Sequence, residues 1–158
     1  MQTKSKLTIT VFVLLSLSLL VLFSCEKRRI KKQKAEDEKI ITQYIADHHL
    51  TATPTGTGLY YVITSQGTGL QPTINSTVTV NYRGYLTDGS LFDQSTSLGV
   101  SFPLSSVIKG WQEGIPYYKK GGKGILLIPS ALGYGERATS KIPANSVLIF
   151  DVELLNVQ

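Results

Sequence analysis

Val107-Ile108-Lys109-Gly110-Trp111 contains the chain's only tryptophan and predicts the start of a short helix, with the residues after 58 folded around it as strands. Gly110 and Gly114 lie four apart, so on a helix they share one face on which a sheet can approach the backbone closely. Propensity alone would not build this helix, because the two glycines and Pro116 each weaken it. Packing must hold it, as for a short helix laid across a curved sheet. The indole of Trp111 then becomes the natural floor of a pocket.

Outward from that stretch the period is two. Leu59 to Thr64 is rich in β-formers, and Val78, Val80 and Tyr82 alternate with Thr77, Thr79 and Asn81. Asp88-Gly89 marks a tight hairpin turn toward Leu91-Phe92-Asp93. Lys123 to Pro129 and Ser146 to Leu155 predict two more strands; in the last, Leu148, Phe150, Val152 and Leu154 face one way while Asp151 and Glu153 face the other. The pattern gives an α+β fold, an antiparallel sheet whose one dry face is covered by the Trp111 helix.

Before the strands, Thr51 to Gly58 is a linker of Thr, Pro and Gly. Glu26 to Leu50 predicts a helix with Ile40, Ile41, Tyr44, Ile45 and His48 on one side and Glu36, Asp37 and Glu38 away from it, as a stalk or a docking helix. Lys4 and Lys6 precede a charge-free run, Leu7 to Phe23, which ends at Ser24-Cys25 in a signal-peptide layout. This ending resembles a bacterial lipoprotein lipobox. The resemblance implies a leader over 1–24, a lipidated Cys25, a basic helical linker over 25–58 and a domain over 59–158 anchored in the cell envelope. The alternative is an uncleaved membrane helix. It is favoured by the six cations between Lys27 and Lys34, which follow the run and resist export. The sole cysteine at the end of the run selects the lipoprotein.

Charge is distributed unevenly. Residues 51–158 hold seven Lys/Arg against six Asp/Glu, so the domain is nearly neutral and lacks the basic cluster of a nucleic-acid surface. One cysteine excludes an internal disulfide. No histidine lies beyond residue 49 and no cysteine beyond 25, which excludes a Ser-His-Asp or Cys-His nucleophile in the domain. His48 and His49 lack partners at metal-ligand spacing, and Gly121-Gly122-Lys123-Gly124 lacks the spacing of a phosphate loop. No cofactor or metal is expected.

The inward or rim set is Tyr82, Phe92, Asp93, Val107, Ile108, Trp111, Tyr134 and Phe150, which is aromatic and nearly uncharged. Such a set supports chemistry that needs only a shaped apolar pocket. Rotation about a peptide bond preceding proline is one such reaction, with a barrier of about 20 kcal/mol set by amide resonance. Burial disfavours the planar amide, which has the larger dipole, and a twisted carbonyl can accept a directed hydrogen bond.

From about Gly69 to Val157 the residues resemble the FKBP-type peptidyl-prolyl isomerases. The likeness rests on Val80-Asn81-Tyr82, Asp88-Gly89, Phe92-Asp93, Val107-Ile108-Lys109-Gly110-Trp111, Gly133-Tyr134-Gly135, Ile142-Pro143 and Leu148 to Leu154. It implies a strongly curved antiparallel sheet wrapped around one short helix. Trp111 would lie under the proline ring, with Tyr82, Phe92, Val107, Ile108 and Phe150 as walls. The Ile108 N–H and Tyr134 hydroxyl would bond substrate carbonyls, and Asp93 would polarise the rim. Proline-containing exported polypeptides are the implied substrates, and macrolide inhibitors are candidate ligands. Val100 departs from a further aromatic wall, and Thr139 or Ser140 from a histidine that some members carry in the flap loop Glu136 to Ile142. A second reading is a proline-segment-binding chaperone module with little or no turnover. A third makes the helix before Leu50 an oligomerisation stalk.

Overall fold

The computed structural model describes residues 26–158. The run Leu7 to Phe23 and Cys25, on which the leader and lipidation expectations rest, lie outside the described residues. The chain divides into two compact units, Met1–Ala35 and Glu36–Gln158. Of the first, residues 26–35 are described; they are helical and largely exposed, with Arg29 paired to Glu26 at 2.9 Å.

Residues 26–47 form α1, and the second unit takes the part from Glu36 onward. His49 ends the helix in a left-handed conformation, φ 51°, which lets the Leu50 N–H donate to the Ile45 carbonyl. The strands are β1 (Thr53–Pro54), β2 (Tyr60–Ser65), β3 (Thr77–Tyr85), β4 (Leu91–Gln94), β5 (Val100–Pro103), β6 (Lys123–Ile128) and β7 (Leu148–Val157). They make one antiparallel sheet in the order β1-β2-β6-β7-β3-β4, with β5 also paired to β3. One edge of β3 serves two partners: Thr77 to Val80 pair with β5, and Arg83 to Tyr85 with β4. Register shifts at Thr79/Val80 and Gly84/Tyr85 add local twist. Curvature follows from these irregularities.

The helix of the decisive stretch, α2 (Lys109–Gly114), begins two residues later than the sequence suggested and buries Gly110, Trp111 and Gly114. Its glycine face meets β6. A Cβ at Gly110 would lie 2.4 Å from Ile128 Cγ2, and one at Gly114 2.6 Å from Leu126 Cδ2. Pro116 does not break the helix, because it falls in the first positions of the 3-10 turn Ile115–Tyr117, where its missing N–H is not needed. Val78, Val80, Leu126, Ile128, Leu148, Phe150, Val152 and Leu154 complete this core.

The sheet's other face is also dry in part. Val62, Leu127, Val147 and Ile149 pack there with Ile41 of α1, flanked by Ile40, Tyr44 and Ile45. Ile41 is fully buried, which contributes roughly 1.5–3 kcal/mol to holding α1 on the sheet. Residues 36–58 thus belong to the second unit, unlike the linker that composition suggested, and Thr53–Pro54 pairs with β2. Asp37, expected to face away, is only 1% exposed. It lies four residues before Ile41, so the helical period places it on the buried stripe. The Tyr60 hydroxyl donates to Glu38, a polar tie between α1 and the sheet.

Candidate active site

β3, β4, β5, α2 and β7 bring the predicted residues to one place. Tyr82, Phe92, Asp93, Val107, Ile108, Trp111, Tyr134 and Phe150 all line a single cavity of about 400 Å³, completed by Val100, Phe102 and Ser106. Trp111 is 4% exposed and is ringed by aromatic edges: Tyr82 at 5.1 Å and 90°, Phe150 at 5.2 Å and 83°, Phe102 at 5.5 Å and 54°. Phe92 stands edge-to-face against Phe150 at 5.4 Å. Such pairs contribute about 0.5–1.5 kcal/mol each beyond area burial and fix ring orientation.

Local backbone features set these positions. Gly84 lies between Phe92 and Phe150, where a Cβ would come within 2.6 Å of one ring and 2.7 Å of the other. The Asp88-Gly89 turn closes through Leu86 and Ser90, with Gly89 at φ +87°, and returns the chain to β4. Ser95 anchors Tyr82, since its Oγ accepts the Tyr82 N–H at 2.9 Å and donates to Asn81 Oδ1 at 2.6 Å. Gln112 Nε2 donates to the Val107 carbonyl at 2.7 Å, which fixes the approach to α2. Ile108 caps that helix with its carbonyl, accepting from Trp111 at 3.0 Å and Gln112 at 3.1 Å. Its own N–H precedes the helical ladder and is not spent by it.

At the rim the Tyr82 hydroxyl donates to Asp93 Oδ2 at 2.7 Å, and the Gln94 N–H holds the other carboxylate oxygen at 2.9 Å. Burial, then the bond to Asp93, pushes the Tyr82 hydroxyl up to about 12, so it remains a donor at neutral pH. Tyr134 is 42% exposed, between Gly133 and Gly135. In the flap, Thr139 is structural: its N–H donates to the Ile142 carbonyl at 2.8 Å and its Oγ1 accepts the Ile142 N–H at 3.0 Å. Lys141 Nζ donates to the Phe92 carbonyl at 3.1 Å, tying the flap to a cavity wall.

A second cavity, about 450 Å³, is lined by Arg83, Lys123, Asp151 and Glu153 among others, and Lys123 and Glu153 pair at 2.9 Å. Asp151 there accepts the Tyr85 hydroxyl at 3.1 Å, and the cavity lacks the aromatic enclosure of the first.

Residues 69–155 match the family model for the FKBP-type peptidyl-prolyl cis-trans isomerases. The chain belongs to this family. It is 42% identical over 137 residues to the FKBP-type peptidyl-prolyl cis-trans isomerase FkpA of Buchnera aphidicola, which covers 82% of this chain and 54% of that protein. The chain spans about half the length of the curated FKBP-type relatives it matches. Among solved structures, FkpA from Escherichia coli superposes with a TM-score of 0.71 at 36% identity, covering all of this chain and 73% of that one. The peptidyl-prolyl cis-trans isomerase from Pseudomonas syringae does so with 0.72 at 32% identity, covering 81% and 95%.

The sequence reading missed Phe102, Gly84 and Asp37. Phe102 was legible, since it stands two residues from Val100 on the same strand face and so shares its direction. Gly84 gave no such signal, because its importance comes from two rings brought together by three strands.

Proposed function

We propose that the domain is a peptidyl-prolyl cis-trans isomerase acting on proline-containing segments of exported polypeptides. What carries this reading is the convergence of all eight candidate residues on one aromatic cavity whose lining holds no histidine or cysteine and whose one serine, Ser106, donates to the Pro103 carbonyl at 2.7 Å. The proline ring would enter over Trp111, between Tyr82, Phe92 and Phe150. Exclusion of water raises the energy of the planar amide relative to the twisted one. The Ile108 N–H and the Tyr134 hydroxyl would donate to substrate carbonyls as they rotate, and Asp93, oriented by Tyr82 and Gln94, would sit against the amide's polar edge. These contacts favour the twisted form over the planar one, which is the requirement for catalysis.

We assign residues 1–24 to a leader and Cys25 to a lipid anchor in the bacterial envelope, with the folded domain beyond it. The apolar run, its terminal cysteine and the envelope-type layout support this. Macrolide inhibitors are candidate ligands of the same cavity. A proline-segment-binding module is the second reading. Val100, aliphatic and 43% exposed, gives the rim an open apolar side in place of an aromatic wall.

The test is cis/trans exchange of a short Xaa-Pro peptide, measured by NMR against a Tyr82, Phe92, Trp111 triple substitution. Acceleration by the parent protein alone establishes the enzyme. Peptide resonances that shift without acceleration establish the binding module instead.

A further inference from the structure

Asp37 belongs to α1, outside the cavity, yet it holds the turn that carries Tyr134. Its Oδ2 accepts both donors of Ser130, the N–H at 2.9 Å and the hydroxyl at 2.7 Å, and both residues are 1% exposed. Ser130 then organises the turn: its carbonyl accepts the N–H of Gly133 at 3.0 Å and of Gly135 at 2.8 Å. The Gly135 carbonyl in turn accepts the Asn145 N–H at 2.7 Å. Tyr134 thus sits between two glycines fixed by one carbonyl, whose own residue is fixed by a buried carboxylate. Charge-assisted bonds of this kind are about twice as strong as neutral ones, and removing the acceptor leaves two buried donors unpaired.

We infer that Asp37 is a positioning residue for the isomerase reaction, setting through Ser130 where the Tyr134 hydroxyl meets the substrate. The inference rests on the activity proposed for the same cavity. It makes α1 part of the catalytic unit rather than a stalk, although none of its residues lines the cavity.

The test compares Asp37→Ala, Asp37→Asn and Tyr60→Phe in the intact protein. Tyr60→Phe breaks the tie between β2 and Glu38 of α1 but leaves Ser130 bonded. Turnover of a short Xaa-Pro peptide is read beside amide hydrogen exchange at Gly133, Gly135 and Asn145. Asp37→Ala should lower kcat roughly tenfold, the order expected for a misplaced binding group, with little change in KM because the apolar walls are intact. It should also speed exchange at the three amides. Asp37→Asn, which keeps an acceptor, should recover part of both, and Tyr60→Phe should alter neither. Unchanged exchange at the three amides in Asp37→Ala overturns the inference, as does an equal loss of kcat in Tyr60→Phe. If Asp37→Ala does not fold, Ser130→Ala removes the hydroxyl donor alone; unchanged exchange there overturns it too. If the parent protein does not accelerate the peptide, the proposed activity fails, while amide exchange still decides whether Asp37 holds the turn.

Discussion

Gly110→Ala tests whether the floor of the cavity is set by the close approach of α2 to β6. In an exposed helix this swap gains about 1 kcal/mol. Here the added Cβ would lie 2.4 Å from Ile128 Cγ2 and 2.8 Å from its Cδ1. Favourable carbon contacts begin near ~3.5 Å, so about 1 Å must be taken up. Ile128 is fully buried, and its Cγ2 is attached to a Cβ whose place the strand dictates. The helix must therefore lift. Overpacking costs about 1–3 kcal/mol, and with about 1 Å to be taken up against a strand-fixed atom the upper part of that range applies, so after the propensity gain the net loss approaches about 2 kcal/mol. Because Trp111 follows Gly110, the same lift draws the indole away from Tyr82 and Phe150. Urea unfolding followed by the emission of Trp111, the only tryptophan, should show a lower midpoint with an unchanged slope. Gly114→Ala provides the comparison. Its Cβ would meet Leu126 Cδ2 at 2.6 Å, a terminal methyl that can swing aside, so its loss should be smaller. A Gly110→Ala protein as stable as the parent, or the opposite ranking of the two variants, would refute the reasoning.

Three further outcomes are expected. Gly84→Ala drives a methyl between Phe92 and Phe150 and should lower peptide turnover roughly tenfold at a stability cost of about 1–3 kcal/mol; turnover at the parent level in an NMR exchange assay would show that the ring pair is not needed. Stability should fall in alkali. The bond to Glu38 pushes the Tyr60 hydroxyl up to about 12, and burial does the same for Tyr82 and raises Tyr118 further. Each folded value lies above the ordinary tyrosine value of about 10, so the folded state holds these protons more tightly. Their stabilisation is complete below about pH 10 and is lost as pH rises through the folded values. Thermal midpoints that stay level or climb above that pH would contradict this. Lys141→Ala removes the bond to the Phe92 carbonyl at a cost of about 0.5–1.5 kcal/mol; amides of residues 136–142 should exchange faster while Gly133 and Gly135 do not, and equal acceleration at both places would count against two separate attachments.

Most of the cavity was legible because its residues obey simple periods. Tyr82 and Phe150 fall on the inward register of alternating strands, and Trp111 follows a glycine whose partner four residues on marks the packed face. The family resemblance then implied roles that periodicity cannot supply. What the sequence hid was long-range convergence. Asp37 and Ser130 are 93 residues apart, and a charge beside two other charges reads as a solvated face until a buried donor pair is known to meet it. Thr51 to Gly58 misled in the other direction. Its Thr, Pro and Gly content marks a linker, yet two of its residues add a strand to β2 and the helix before it lies on the sheet.

The same two strands serve both sides of the sheet, and this couples the outer helix to the cavity. Leu126, Ile128 and Phe150 face α2, while their neighbours Leu127 and Ile149 face α1. A slip of one residue in β7 would turn Phe150 out of the cavity and Ile149 into it. The inner face already resists that slip, because it would also turn Asp151 and Glu153 into the apolar core. A buried Ile41 packed in the same cluster as Leu127 and Ile149 does not accept a phenylalanine ring in the space of an isoleucine without overpacking. Docking of α1 therefore adds a second penalty to the one set by Asp151 and Glu153, and the helix contributes to the site through packing as well as through Asp37.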